Sequence, residues 1–478
     1  GALATTTLAT LLMTGATASA QTRTGTSAVT FSKDVAPIFQ RSCLTCHRPG
    51  TMAPMSLQSY QDVRPWARSI KNKVMHREMP PWFVDRNIGI QKFKNDPSLS
   101  DAEIAKIAKW ADSGAPRGNA ADAPTAKKWD DNAKWAIGQP DLVVKTTDIT
   151  VKGNAPDWWG EIEPVPIPLD EDRYVLAVEI KEVNDAALHN GGRDTVGGLF
   201  VWHHLIYRTQ VGLDTPSDLE LIAGSDNVVN WPVHEVGRNP DYFDPKSAVL
   251  LKKGSWIFSD SLHTHSSGKD VTSHLEFGYK LAPKGYKPEF KRAVFGLGNG
   301  VDIDIRPMEK EQQLHAYAVM NEPTKIISFE PHLHAPGNRM CLEAIWGYNI
   351  QTLSCVGYDH NWVRGYSYAD DVAPLLPKGA ILHIIGYMDN TPGNKNVPDP
   401  RNWSGSGNRS ITNMFIDLGN RVALTDEQFQ NEMKQRVQAN PGKDIIIGCP
   451  LCGAVAQQMR AAPKPTQNQQ QQQQQQQQ

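Results

Sequence analysis

At 478 residues the chain is too long for one ordinary hydrophobic core, which predicts two or three domains. Forty per cent apolar and 21% charged residues exclude a disordered or fibrous protein. A net charge of −2 leaves no electrostatic footprint for nucleic acid or an anionic membrane surface.

The first twenty residues, GALATTTLATLLMTGATASA, are small, apolar and uncharged and close on Ala-Ser-Ala. That pattern matches the hydrophobic stretch and cleavage site of a secretory signal peptide, with cleavage after Ala20. It predicts export to the periplasm or beyond. No later run approaches the ~18 apolar residues of a membrane span, so an integral membrane protein is not expected.

Residues 31–118 read as helical. SKDVAPIFQRSC makes a short helix running into a pair of cysteines. In SLSDAEIAKIAKWADSGAP, Ser100 and Glu103 form a capping box. Ile104, Ile107, Ala108 and Ala111 follow at helical spacing, and Gly114 and Pro116 end the run. Residues 119–139 have linker composition. Beyond them short β-like runs alternate with Gly, Pro and Asn, among them LFVWHHLIY, SWIFSDSLHTH, KIISFEPHLH, ILHIIGYM and NMFIDLG. That texture predicts two antiparallel β-sandwiches, over 140–290 and 291–445. Residues 446–478 hold a second Cys-x-x-Cys and a polyglutamine tail that needs no fold.

The six cysteines fall into three pairs. Cys341 and Cys355 flank a two-strand pattern turning at Gly347–Asn349, and a disulfide between them is expected. Cys449 and Cys452 lack a following histidine; a local disulfide is expected, with redox or metal binding as the alternative. The third pair, in CLTCH, has His47 directly behind Cys46. Cys43 and Cys46 at this spacing add across the two vinyl groups of a haem while His47 reaches the iron. A thioredoxin-like pair would want a βαβ setting, and a zinc site a second ligand pair nearby. The second axial ligand must come from Met52, Met55, Met75, His76 or Met79. Met79, in REMPPWF, is favoured because the two prolines hold it on an extended chain. Residues 31–118 therefore resemble a class I cytochrome c, which implies a small all-α domain with one covalent haem c.

Histidines cluster among the predicted strands: His203 and His204; His263, His265 and His274; His332 and His334. On a strand, His332 and His334 project from one face and can grip one ion. A thioether such as Met414 would make a soft His2Met set suited to copper. His203 and His204 face opposite ways unless the backbone bends between them. The ordinary reading of any one of them is a hydrogen-bonded or exposed polar side chain.

The order H-H, H, H-x-H, Met resembles the copper type II, ascorbate-dependent monooxygenases, the family of peptidylglycine α-hydroxylating monooxygenase and dopamine β-monooxygenase. The resemblance covers about 140–425 and implies two jelly-roll-like domains, each with one copper. It implies that His203, His204 and His263 hold the first copper, with His265 the rival for the third place. His332, His334 and Met414 would hold the second, catalytic copper. The family's acidic pair before the methionine is Thr412-Asn413 here, and His189 lies in an insertion. His234, His274, His315, His360 and His383 have no ligand counterpart and are left as orienting residues. The expected function is an exported haem- and copper-dependent monooxygenase. It would act on O2 and an unidentified small organic or peptide substrate, with an ascorbate-like reductant or another cytochrome as external electron donor. A periplasmic electron-transfer or copper-binding cytochrome without oxygenase activity is the alternative.

Overall fold

The computed structural model describes residues 1, 28–49, 53, 55–127, 135–185, 195–196, 201–217, 220–221, 224–235, 240–293, 296–300, 302–407, 409, 411–443 and 445–461. The predicted leader, His189, Met52 and the polyglutamine tail lie outside them. Among the described residues the regular structure is mostly antiparallel β-sheet with few helices, consistent with β-sandwich domains.

The helices Ala36–Ser42, Ala67–Met75 and Asp101–Asp112 share one core, in which Val35, Phe39, Val63, Ile107 and Trp110 are buried. The capping box at Ser100 forms: its Oγ accepts from Glu103 N, and its own N–H donates to Glu103 Oε2. Two orphan donors at the helix start are thereby satisfied.

The first sandwich stacks the strands Leu142–Lys145, Val271–Leu281, Arg173–Asn184 and Val249–Leu251 against a second sheet. That second sheet runs Trp158–Pro166, Ser255–Thr264, Trp202–Val211, Val228–Asn230, with His234–Glu235 also on the Trp202–Val211 strand. Leu205, Tyr207, Ile257, Leu262, Leu275 and Phe277 fill the space between them. In the second sandwich, Gln312–Val319, Ile381–Met388, Gly337–Trp346 and Asn349–Gly357 form one sheet. Shorter strands cover it, including Pro331–Leu333 and Phe415–Asp417.

Two packing features do not follow the boundaries drawn from sequence. Residues 82–94 leave the helical core and join the second sandwich, where Ile90 and Phe93 are part of its interior. Asp85 N–H donates to Cys355 O at 2.8 Å, Ile90 N–H to Leu353 O at 2.7 Å and Lys94 N–H to Ser367 O at 2.8 Å. An Arg339–Asp85 ion pair at 2.6 Å adds to the seam. At the other end, the helices Asp426–Ala439 and Cys452–Ala461 pack on the second sandwich through Phe429, Met433 and Val455.

Both expected disulfides, Cys341–Cys355 and Cys449–Cys452, are present. Among the described residues, no helix is long and apolar enough to cross a membrane.

Candidate metal centre

Cys43 caps the helix Ala36–Ser42, and the N–H groups of Cys46 and His47 both turn back to Cys43 O, at 3.1 and 2.9 Å. Neither cysteine is in a disulfide. Burial pushes Cys43 up to about 12. Burial also raises Cys46, opposed by the guanidinium groups of Arg364 and Arg48. His47 Nδ1 lies 3.1 Å from Met55 O. A carbonyl can only accept, so Nδ1 carries the proton and Nε2 keeps its lone pair. Met79 is 40% exposed on the segment after the helix Ala67–Met75, and Met75 is 53% exposed. Nδ1 of His76, which is also exposed, bonds Asn72 O at 2.8 Å.

The histidines of the first sandwich sit on the outer face of its second sheet. Leu205 and Leu262 point into the sandwich core, so their neighbours His204 and His263 point away from it. A cross-strand row results: Trp159 pairs with His263, His263 with His204, and His204 with Glu235. In strict alternation His203 would face inward. The register slips there, with His263 opposite His204 but Thr264 opposite Trp202. The extra residue is His203, and this bulge supplies the bend that H-H needs to place both rings outside.

The bulge sends the two rings to different neighbours. His203 lies 5.0 Å from His263, 5.4 Å from His265 and 5.9 Å from His360, between ring centres. Trp159 stacks on His263 at 4.1 Å with planes 3° apart, and Asp157 Oδ2 approaches His263 Nε2 at 3.3 Å without hydrogen-bond alignment. His204 turns instead to the second sandwich. Its Nδ1 bonds Glu235 Oε1 at 2.7 Å, and its ring centre lies 6.1 Å from that of His332.

On the second sandwich, His332 and His334 share a face with ring centres 5.3 Å apart. Their strand pairs with Phe415–Asp417, Leu333 opposite Phe415. Both strands end at that pair, and His334 and Met414 are the residues that flank it, one just beyond each strand. The glycine after H-x-H has a packing reason: a Cβ at Gly337 would meet Leu333 Cβ at 2.4 Å. Likewise a Cβ at Gly386 would meet the Phe415 ring at 2.6 Å. Asn413 is buried and donates to Ser404 O at 2.9 Å, anchoring the turn before Met414.

The two histidine groups are therefore in contact, joined through His204, Glu235 and His332. Glu235 is buried. Burial would raise its pKa, but the imidazoles of His332 and His204 outweigh this and hold it well below the usual carboxylate range. Burial and the rings of His263, His360 and His265 push His203 down to about 3. Burial lowers His263 to about 4, with Asp157 opposing, and lowers His334 to about 2, aided by His332. These imidazoles are neutral at physiological pH. Buried nitrogens without a hydrogen-bond partner include His203 Nδ1, both of His263, both of His332, and His334 Nδ1. Buried polar atoms are ordinarily satisfied, so a cluster of orphaned imidazole nitrogens fits a soft or borderline metal ion. Among the described residues, no three His, Cys, Asp or Glu side chains are already converged as a finished coordination set.

Glu235 and His360 carry no motif in the sequence; strand pairing and loop placement bring them in. Three other histidines belong elsewhere. His315 Nδ1 lies 3.0 Å from His383 Nε2, whose Nδ1 bonds Glu343 Oε2 at 3.0 Å. His274 Nδ1 lies 2.8 Å from Asp148 Oδ1.

No protein-family model matches the chain, and no curated protein matches it in sequence. The solved structures it is similar to are viral capsid proteins. One is the cowpea mosaic virus top component, at 9% identity over 63% of this chain and 95% of that chain, with a TM-score of 0.27. Another is the T13 particle of infectious bursal disease virus, at 9% identity over 61% of this chain and 71% of that chain, with a TM-score of 0.17.

Proposed function

We propose that the chain is an exported, haem- and copper-dependent monooxygenase built from a cytochrome c block and two jelly-roll-like copper domains. The observation that carries this reading is the meeting of His203, His204, His263, His332 and His334, from two sandwiches, with buried ring nitrogens on all but His204 that lack hydrogen-bond partners.

Cys43 and Cys46 would hold the haem covalently, and His47 through Nε2 and Met79 would ligate its iron. His203, His204 and His263 would hold one copper; His332, His334 and Met414 would hold the other. Bound copper would supply dioxygen binding and one-electron chemistry, and the haem one-electron storage. Glu235 fixes the proton of His204 on Nδ1, which leaves Nε2 free to ligate. Trp159 holds the His263 ring flat against it and screens one face from water. The overall conversion, RH + O2 + 2e⁻ + 2H⁺ → ROH + H2O, draws both electrons from an external donor.

A second reading, a copper-binding redox carrier without oxygenation, is favoured by one feature. His204 and His332 stand 6.1 Å apart beside one carboxylate, leaving no gap for a substrate between those two rings.

Metal analysis with EPR is expected to find one haem and two coppers per chain. In stopped flow, ferrous haem should be reoxidised by O2 faster in copper-loaded than in copper-stripped protein. Identical rates with two coppers bound would sink the coupling of haem to copper. Copper binding with no 18O incorporation into a panel of peptides and amines would favour the carrier.

A further inference from the structure

His360 lies on the turn that follows the strand Asn349–Gly357 of the second sandwich, in YDHNWVR. Its ring nevertheless stands 5.9 Å from His203 of the first sandwich, with planes 41° apart. An ion bonded to imidazole nitrogens at about 2.0 Å holds each ring centre about 3 Å away, so two rings sharing it stand roughly 4.5–6.4 Å apart. The separations His203–His263, His203–His265, His203–His360 and His263–His265, from 5.0 to 6.1 Å, all fall in that span. The buried Nδ1 of His203 and both nitrogens of His263 have no hydrogen-bond partner, an independent sign that these rings face a missing ligand.

The turn has a second attachment. Tyr358 donates its hydroxyl to Leu333 O, between His332 and His334. Four residues after His360, Arg364 lies over the Trp82 ring at 5.4 Å and acts electrostatically on Cys46. Residues 358–364 thus touch the His332 strand at one end and carry a cation that acts on Cys46 at the other.

The geometry points to His360 as a copper ligand donated by the second sandwich to the His203–His263 group, so that this ion is held across the domain seam. This rests on the copper reading above and changes it. The first copper takes a ligand from the other sandwich, and His204 is released to face Glu235 and His332. Binding that ion ties the two sandwiches together through a segment whose Arg364 acts electrostatically on Cys46.

The test uses the full-length, haem-containing protein and copper alone as the probe. Wild type, His360→Ala and His360→Gln are titrated with Cu(II) against a competing chelator. Pulsed EPR counts the coordinated imidazoles at each site, and the haem absorbance spectrum serves as an internal check on folding. Both variants should bind one of the two coppers about tenfold or more weakly, with one fewer imidazole at that site, the haem spectrum being unchanged. Two coppers bound by the variants with wild-type affinity and imidazole count would overturn the inference while leaving the copper reading intact. So would recovery of wild-type behaviour by the glutamine variant, since glutamine can replace a polar packing contact but is a poor copper ligand. Wild type that binds no copper would remove the copper reading and this inference with it.

Discussion

Cys43, Cys46 and His47 fall within one turn of chain, whereas the histidine nest draws on residues 203 to 360 and on both sandwiches. The first needs only a helix end and one carbonyl, Met55 O, to orient its imidazole. The second needs a β-bulge, two strand registers and a seam between domains. A local site should therefore fail all at once when a ligand goes. A site assembled through tertiary packing should also respond to residues that touch no ion.

The largest effect is expected at the local site. Cys43→Ser with Cys46→Ser should abolish covalent haem, read as loss of the haem band on a denaturing gel, while copper content stays at the wild-type value. Loss of copper as well would erase the contrast between the two regions. Next, His334→Ala or Met414→Ala should remove one of two coppers by metal analysis. A full complement in both variants would show that the H-x-H strand and its partner hold no ion.

Glu235→Gln probes the tertiary layer, because Glu235 hydrogen-bonds His204 and lies beside His332. It should weaken copper binding about 10–100-fold, the range for residues that orient a metal-ligating histidine. Unchanged affinity together with an unchanged EPR spectrum would make it a packing residue.

Acidification should destabilise the metal-free protein. His203 at about 3 and His263 at about 4 lie below their ordinary 6.5. Below pH 6.5 the unfolded chain therefore binds protons that the folded one refuses. Their contribution is complete above pH 6.5 and is lost as the pH falls toward 3. The denaturation midpoint should drop between pH 7 and pH 5; a flat profile would show that the imidazoles are not held neutral.

The smallest effects belong to local structure. Ser100→Ala and Thr425→Ala each remove a capping box and should cost about 1 kcal/mol, read by chemical denaturation. Neither should alter metal content.

Much of this architecture is legible from residue order. Ser100 and Glu103 mark a helix start because the capping bonds span three residues. The hairpin between Cys341 and Cys355 follows from two strands meeting at a tight turn. His332 and His334 share a face because the side-chain period of a strand is two. Other features carry no such signal. Residues 82–94 read as part of the helical block, yet their backbone groups pair with Leu353, Cys355 and Ser367, which only the docked sandwich supplies. H-H leaves two outcomes open, and the bulge at His203 decides between them because His263 is already fixed opposite His204.

The sequence by itself determined the Cys-x-x-Cys-His stretch, the helices Ala36–Ser42 and Asp101–Asp112, the β texture and both disulfides, because each depends on periodicity or on residues close along the chain. Only the tertiary structure decided that His204 leaves His203 for Glu235 and His332, and that His360 arrives from the second sandwich in its place. Those contacts are set by strand register and by the packing of one sheet face on another. Such terms couple residues from 31 positions apart, as in His204 and Glu235, to well over a hundred, and leave no local pattern to read.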